Sequence, residues 1–277
     1  MTINCNGKLI DLTTPKVMGI LNVTPNSFYD GGKFTDDKQI LSHIEKMLTA
    51  GVDFIDVGGY SSKPNAELLS EEEELKRVIP VIQKITKTFP AAIISIDTFR
   101  SEVARQSVEN GAAIINDIAA GSLDENMMKT VAKLQVPYIM MHMKGNPQTM
   151  QSLANYENIV KEMLFYFSEK VALARSYGIN DLIINPGFGF AKTIEQNFEV
   201  LQKLELFQML ELPLLIGVSR KSMVHKTLGI TADSSLNGTT SLNTIALMKG
   251  AKILRVHDVK EAVECVKLYT KLTAPNS

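Results

Sequence analysis

Eight short apolar runs, at residues 17–21, 54–57, 93–96, 114–115, 138–141, 182–184, 214–218 and 253–254, punctuate this chain. Each stops at a polar or chemically capable residue. The stops are Asn22, Gly58-Gly59, Asp97, Asn116-Asp117, His142, Asn185, Ser219-Arg220-Lys221 and Arg255-Val256-His257. Strands covered on both faces read as near-continuous apolar runs, which is the mark of a parallel sheet. Between the runs, spacing and caps predict helices over 36–50, 71–87, 101–110, 124–134, 156–177, 194–209, 236–249 and 259–271. Thr35 is a fitting N-cap for the first, and Ser70-Glu71-Glu72-Glu73 is a capping box that opens the second. The acidic turn there suits the helix dipole, so it is read as structural. Strand–helix alternation repeated eight times favours a closed barrel over a doubly wound open sheet.

Residues 4–12 alternate polar and apolar around Asn6-Gly7, a tight-hairpin pair. The expected fold is therefore α/β, a (β/α)8 TIM barrel with an N-terminal β-hairpin closing the bottom. No low-complexity tract or linker divides the sequence, so residues 1–277 are expected to form a single domain. In such a barrel every strand C-terminus opens onto one face, where active sites sit. Residues scattered over the whole chain would then meet in one pocket.

With 45% hydrophobic and 21% charged residues, the chain can bury a large core. A net charge of −1 offers no global basic field, so nucleic acid is not an expected partner. The N-terminus lacks a secretory pattern and no stretch is long enough to span a bilayer, so no membrane partner is expected and the cytoplasm is the expected location. Cys5 and Cys265 lie near opposite ends without metal-type spacing and are read as two inert thiols.

Several tips could carry chemistry. Asn22 and Asp30 could ligate a hard cation, or merely satisfy the turns of the long loop after the first run. Asp97 should point into the pocket or cap the following helix, whose expected start at Ser101 loosens the second option. Asn116-Asp117 with Asp97 would suit a heterocycle with an amide edge. Gly187 and Gly189 permit close approach of backbone to a ligand, while Phe188 and Phe190 supply apolar walls. Arg220 and Lys221, with Arg255 and His257, would gather at the last two strand tips, where barrels commonly hold phosphate. His142, set among methionines, is either functional or simply packed. His43 and His225 receive no role.

These motifs resemble the dihydropteroate synthase family over nearly the whole chain. The resemblance is carried by Gly19-Ile-Leu-Asn-Val-Thr-Pro with Asp30-Gly-Gly32, by Asp56-Val-Gly-Gly59, Ser95-Ile-Asp-Thr98 and Asn116-Asp117, and by Pro186-Gly-Phe-Gly-Phe190, Gly217-Val-Ser-Arg-Lys-Ser222 and Arg255-Val-His-Asp258. It implies a transferase that condenses 6-hydroxymethyl-7,8-dihydropterin diphosphate with 4-aminobenzoate in folate biosynthesis, with Mg2+, and usually as a homodimer. It implies catalytic roles for Asp97, Lys221, Arg255 and His257, and pterin contacts from Asp97, Asn116, Met140, Asn185 and Lys221. By the same resemblance, Asn22, Lys63, Arg255 and His257 would meet the diphosphate, and Asn22 and Asp30 the metal. Phe28, Ser62, Pro64, Phe190 and Ser222 would surround aminobenzoate.

Two departures stand out. The family commonly reads Glu-Ser-Thr-Arg-Pro-Gly where this chain has Tyr60-Ser61-Ser62-Lys63-Pro64-Asn65, so Lys63 keeps charge but loses a planar two-point grip on phosphate. These changes are expected to alter sensitivity to sulfonamides, which mimic aminobenzoate. Asn185 stands where an aspartate is usual, and an amide accepts through one oxygen only. Two rivals follow: a methyltetrahydrofolate–corrinoid methyltransferase, which the two cationic tips argue against, and a pterin-binding paralogue without activity, which Asn185 alone favours.

Overall fold

The structure, a computed structural model, describes residues 1–23, 37–60 and 69–274. Two antiparallel strands, β1 (Thr2–Cys5) and β2 (Lys8–Asp11), form the expected hairpin, with Asn6 and Gly7 both at positive φ in its turn. Eight parallel strands follow: β3 (Lys16–Asn22), β4 (Phe54–Gly58), β5 (Ile93–Asp97), β6 (Ala112–Asp117), β7 (Tyr138–Met141), β8 (Leu182–Asn185), β9 (Leu215–Ile216) and β10 (Ile253–Val256). They run side by side in the order β8-β7-β6-β5-β4-β3-β10-β9. A parallel bridge from Ile184 to Leu214 joins the two ends, so the sheet closes on itself. The fold is a (β/α)8 barrel, as the apolar runs implied.

Helices α1 (Asp37–Ala50), α2 (Glu71–Thr88), α3 (Ser101–Glu109), α4 (Met127–Leu134), α5 (Ile159–Ser176), α6 (Ile194–Gln202), α7 (Ser222–Leu228), α8 (Leu236–Met248) and α9 (Val259–Thr273) surround it. Ser70 caps α2 by accepting from the Glu73 amide at 3.2 Å. Thr193 and Gln196 form a full capping box on α6. The predicted helix over 194–209 is split. Beyond Gln202 the chain tightens into a 3₁₀ segment, Leu204–Leu210, whose three-residue repeat turns both Leu204 and Phe207 into the core. α4 begins three residues later than the sequence implied, after a turn in which Asp124 Oδ1 accepts from the Asn126 amide at 2.9 Å while the other carboxylate oxygen serves a second helix. That oxygen accepts from the Ser101 amide at 2.7 Å and so caps α3, whose own N-cap residue Arg100 makes no side-chain cap bond.

Period-2 alternation sorts the barrel strands into two faces. Inward positions at the bottom (Met18, Phe54, Ile93, Ile114, Ile139, Ile183, Leu215 and Ile253) pack with Ile3, Cys5, Ile10 and Leu12 of the hairpin in one apolar cluster. The hairpin is therefore the floor of the barrel, tied down by the Asn4 amide donating to Asp181 Oδ2 at 2.8 Å. Outward positions such as Val17, Leu21, Ile55, Val57, Ile96, Tyr138 and Ile216 pack beneath the helices. At Gly19 a Cβ would lie 2.7 Å from Met47 Sδ and 2.9 Å from Val259 Cγ2, so α1 and α9 rest directly on the backbone of β3. Cys5 and Cys265 are free and buried, and loss of solvent pushes the Cys5 thiol up to about 12, an unreactive state. Among the described residues no helix is long and apolar enough to cross a membrane.

Phe54 is fully buried between floor and barrel, so Phe54→Ala is expected to cost about 3–5 kcal/mol in urea denaturation. Leu9 on the same hairpin is 70% exposed, and Leu9→Ala should stay within about 0.5 kcal/mol. Equal costs would contradict the floor assignment.

Candidate active site

Above the apolar floor the inward positions change character. The next residues up the strands are Asp56 on β4, Ser95 on β5, Asn116 on β6, Asn185 on β8 and Arg255 on β10. Asp97 ends β5 one layer higher, and Lys221 and His257 follow β9 and β10 at the mouth. Residues as far apart in sequence as 22 and 257 thus share one opening.

At its centre, Arg255 bridges two carboxylates. Its Nε donates to Asp56 Oδ2 at 2.6 Å, and its Nη2 to Asp97 Oδ2 at 2.7 Å. Asp56 Oδ2 also accepts from Asn116 Nδ2 at 3.0 Å. Asp97 does not cap α3; it belongs to the mouth. Burial pushes its carboxyl up to about 7 against the pull of Arg255, with Asp56 adding to the rise, since two acids share one guanidinium. Asp56 Oδ1, Ser95 Oγ and Asn116 Oδ1 are buried without a hydrogen-bond partner among the described residues. Three unpaired polar atoms on one floor are costly unless a ligand meets them.

The cationic side of the mouth is built by the turn after β9. Arg220 adopts a left-handed conformation, φ 57°, so that Ser219 and Lys221 can both serve the opening. The Arg220 side chain itself is directed to Asp258, at 2.7 Å, and to Asp233, at 3.2 Å, and so leaves the expected anion cluster. Lys221 Nζ donates to the Phe188 carbonyl and lies 4.8 Å from the centre of the Phe190 ring. Burial, and then Arg255, lower its ammonium to about 7 against the opposing influence of Asp97. His257 reaches solvent on its outer side. Desolvation towards the barrel, then repulsion from Arg255 and Arg220, lower its ring to about 4. Ser219 Oγ accepts from the His257 amide at 3.2 Å and lies 3.0 Å from Nδ1. Its hydroxyl proton is free to be given to Nδ1, which leaves Nε2–H as the donor facing outward.

Asn185 Oδ1 accepts from the Gly187 amide at 2.9 Å, so its one acceptor atom is already turned to its own loop. A Cβ at Gly187 (φ 68°) would meet the His142 carbonyl at 2.2 Å, and only glycine permits that approach. Asn22, at the tip of β3, places Oδ1 3.6 Å from where a Gly58 side chain would begin, with Asp97 Oδ2 at 3.7 Å from the same point. Ser222 opens α7 at the rim, half-buried. The expectations for Phe28, Asp30, Ser62, Lys63 and Pro64, and the helix cap at Thr35, lie outside the described residues.

One assignment is overturned. Met140 is an outward position, fully buried in the helix-facing cluster beside Ile184, and cannot line the pocket. Alternation gives that place to Met141, which packs with Ile118, Ala119 and Ala191 near the mouth. The same parity sends Asp117 outward, where it accepts from Tyr138 Oη at 2.6 Å and from the Ala119 and Gly121 amides. His142 is likewise packed, 4.9 Å from the Tyr166 ring. Asp56 received no role from the sequence. A lone acid at an inward position of an otherwise apolar strand was the signal available for it.

A family model described as pterin binding enzyme matches residues 18–257. Dihydropteroate synthases of Escherichia coli K12 and Haemophilus influenzae are 43% and 41% identical, each over 97% of this chain and over 95% and 98% of their own lengths. The chain belongs to the dihydropteroate synthase family. Solved dihydropteroate synthases have the same architecture. That of Yersinia pestis, determined with a sulfonamide drug complex, is 39% identical with a TM-score of 0.92, covering 98% of this chain and 99% of that one. That of Xanthomonas albilineans with 4-aminobenzoic acid is 36% identical with a TM-score of 0.92, covering 99% of each. As in other dihydropteroate synthases, then, the mouth described above is the place to look for the chemistry.

Removing one of the two acids tests the network directly. Asp56→Asn leaves Arg255 buried with half its counter-charge, and should cost about 3 kcal/mol of stability and lower kcat/KM by about 10- to 100-fold. Unchanged denaturation and kinetics would show that Asp97 alone suffices.

Proposed function

We propose that this chain joins 6-hydroxymethyl-7,8-dihydropterin diphosphate to 4-aminobenzoate, giving dihydropteroate and pyrophosphate. The observation that carries this reading is the juxtaposition of unpaired acceptors on the floor with cations at the rim. Asp56 Oδ1, Ser95 Oγ and Asn116 Oδ1 suit a flat ring rich in N–H donors, and Lys221, Arg255 and His257 suit its anionic tail. A neutral heterocycle carrying a diphosphate has that polarity.

The C–O bond to the diphosphate would break first, the pair leaving with pyrophosphate and the positive charge spreading into the dihydropterin ring. Asp97, ionised, favours that cation electrostatically, while Lys221, Arg255 and the Nε2–H of His257 receive the leaving anion. The arylamine nitrogen then attacks the methylene carbon and releases its proton. No side chain needs to act as covalent nucleophile. Ser222 at the start of α7 would face the aminobenzoate carboxylate, and Phe190 its ring.

The donors at the mouth fit a magnesium ion. Asn22 Oδ1 is a hard oxygen ligand at the tip of β3, beside the carboxylate of Asp97 that Arg255 holds, and no group of three His, Cys, Asp or Glu residues able to hold a metal occurs among the described residues. Such a site matches an ion that keeps its waters and takes substrate phosphate oxygens. When bound with substrate, it would supply charge neutralisation on the diphosphate. We also propose a homodimer, whose partner would cover Ile245 and Met248 of α8 with Leu268 and Leu272 of α9, all exposed. The cytoplasm remains the proposed location.

Pyrophosphate release from the two substrates tests the reading. It should require Mg2+, stop with EDTA and return when Mg2+ is restored; no release under any condition would overturn it. Its kcat/KM should be bell-shaped about pH 7. Below that Asp97 gains a proton and loses the charge that favours the cation; above it Lys221 loses the charge that holds the anion. Lys221→Met should remove the alkaline limb.

Because Asn185 Oδ1 is already engaged by Gly187, Asn185→Asp would supply a second acceptor for a pterin N–H while keeping the loop bond. Pterin binding by calorimetry should tighten by about 1–3 kcal/mol. Unchanged or weaker binding would mean that the amide is no handicap here.

A further inference from the structure

Beneath the mouth lies a lysine that the reaction does not use. Lys192 is 4% exposed, and its Nζ reaches three acceptors: the Gly187 carbonyl at 3.1 Å, the Phe190 carbonyl at 3.0 Å and His142 Nδ1 at 3.0 Å. Burial, then Lys221 and Lys144, drives its pKa well below the usual lysine value. The two carbonyl bonds form whether the amine is charged or neutral. As ammonium it donates to all three acceptors; as amine it accepts the Nδ1 proton and donates to the carbonyls. Charge is therefore not what this group contributes. Position is.

The carbonyls it holds belong to the two ends of the turn between Gly187 and Phe190. That turn carries the Phe188 carbonyl, which accepts from Lys221, and the Phe190 ring, which lies 4.8 Å from the same ammonium. Gly187 and Gly189 both adopt positive φ, at 68° and 81°, so the turn gains conformations when its ends are loosened, against the Phe190 amide bond to the Gly187 carbonyl at 3.1 Å and the Gly189 amide bond to Asn197 Oδ1 at 2.7 Å. His142 closes the arrangement from β7. Its ring is fixed against Tyr166, and its carbonyl packs on Gly187.

We propose that Lys192 is a positioning residue, which clamps the 187–190 turn so that the Phe188 carbonyl and the Phe190 ring bracket the Lys221 ammonium. The link to catalysis rests on the function proposed above; the clamp itself does not. A lysine whose burial merely fills space would not place its nitrogen on both ends of one turn. Removing its donors while keeping an unbranched stem one atom shorter, as in Lys192→Met, should loosen the turn and let Lys221 wander.

Two measurements test this on the intact chain. Hydrogen–deuterium exchange at the hydrogen-bonded Gly189 and Phe190 amides should quicken in Lys192→Met relative to the parent, with the amides of β4 and β5 unchanged. Unaltered exchange in the turn would overturn the clamp, and this readout needs no turnover. Second, kcat/KM for the pterin diphosphate should fall about 10- to 100-fold in Lys192→Met, mainly through KM. In a Lys221→Met background the same substitution should have little further effect. A merely structural lysine would cost the same factor in both backgrounds, and that result would overturn the role. Should Lys192→Met not accumulate folded, Lys192→Gln, which has the same reach as Met but keeps two N–H donors, carries both measurements with smaller effects expected in the same directions. Absence of turnover in the parent would fall on the proposed function, and the exchange measurement would still decide the clamp.

Discussion

Arg255 crosses the barrel from the end of β10 to the carboxylates of Asp56 and Asp97, on the neighbouring strands β4 and β5. Its side chain is 19% exposed, while Asp56 is fully buried. A guanidinium offers donors in a rigid fork, so it can satisfy two acids at once and fix their spacing. The rest of the mouth follows from that spacing. Asn116 is turned by its bond to Asp56, which leaves its own oxygen buried without a partner among the described residues. Asp97 is held at the rim close to Asn22, and Lys221 is buried between the opposing influences of Arg255 and Asp97. Such a network is costly to bury and is tolerated where its unmet valences serve a ligand.

Parity along the strands decides which residues belong to this network. One step of the chain moves a side chain from the pocket to the helix-facing shell, so neighbours in sequence have unrelated environments. Asn116 faces the ligand floor while Asp117 accepts three bonds on the outside, one from Tyr138 and two from amides. Met141 lies near the mouth and Met140 lies under the helices. The two methionines are chemically alike, and the apolar run 138–141 contains no polar residue that would mark its phase.

The groups that hold Lys221 are themselves held in place. Its ammonium is met by a carbonyl and a ring from one short turn, and that turn is gripped from below by Lys192 and from beside by the close packing of Gly187 on His142. Asn185 contributes to the same turn through its only acceptor oxygen, which ties a departure from the family pattern to the local architecture. A cation so held is stripped of water and kept ready for an anion, which explains its lowered pKa.

By itself the sequence determined the barrel, the hairpin floor, the order of the strand tips and most of the charged residues at the mouth. These are local properties: buried parallel strands must be apolar, turns need their glycines, and Asp97, Arg255 and His257 each interrupt or end an apolar run. Helix boundaries were less legible, as where Asp124 caps α3 with one carboxylate oxygen and holds the turn before α4 with the other. Only the tertiary structure decided the pairings. That Asp56 is the partner of Arg255, 199 residues away, that Arg220 turns aside to Asp258, and that Lys192 reaches back to Gly187 and His142 are facts of three-dimensional closure. A chain encodes which groups it owns. Which of them lose water together depends on the ring of strands that brings them within hydrogen-bond distance.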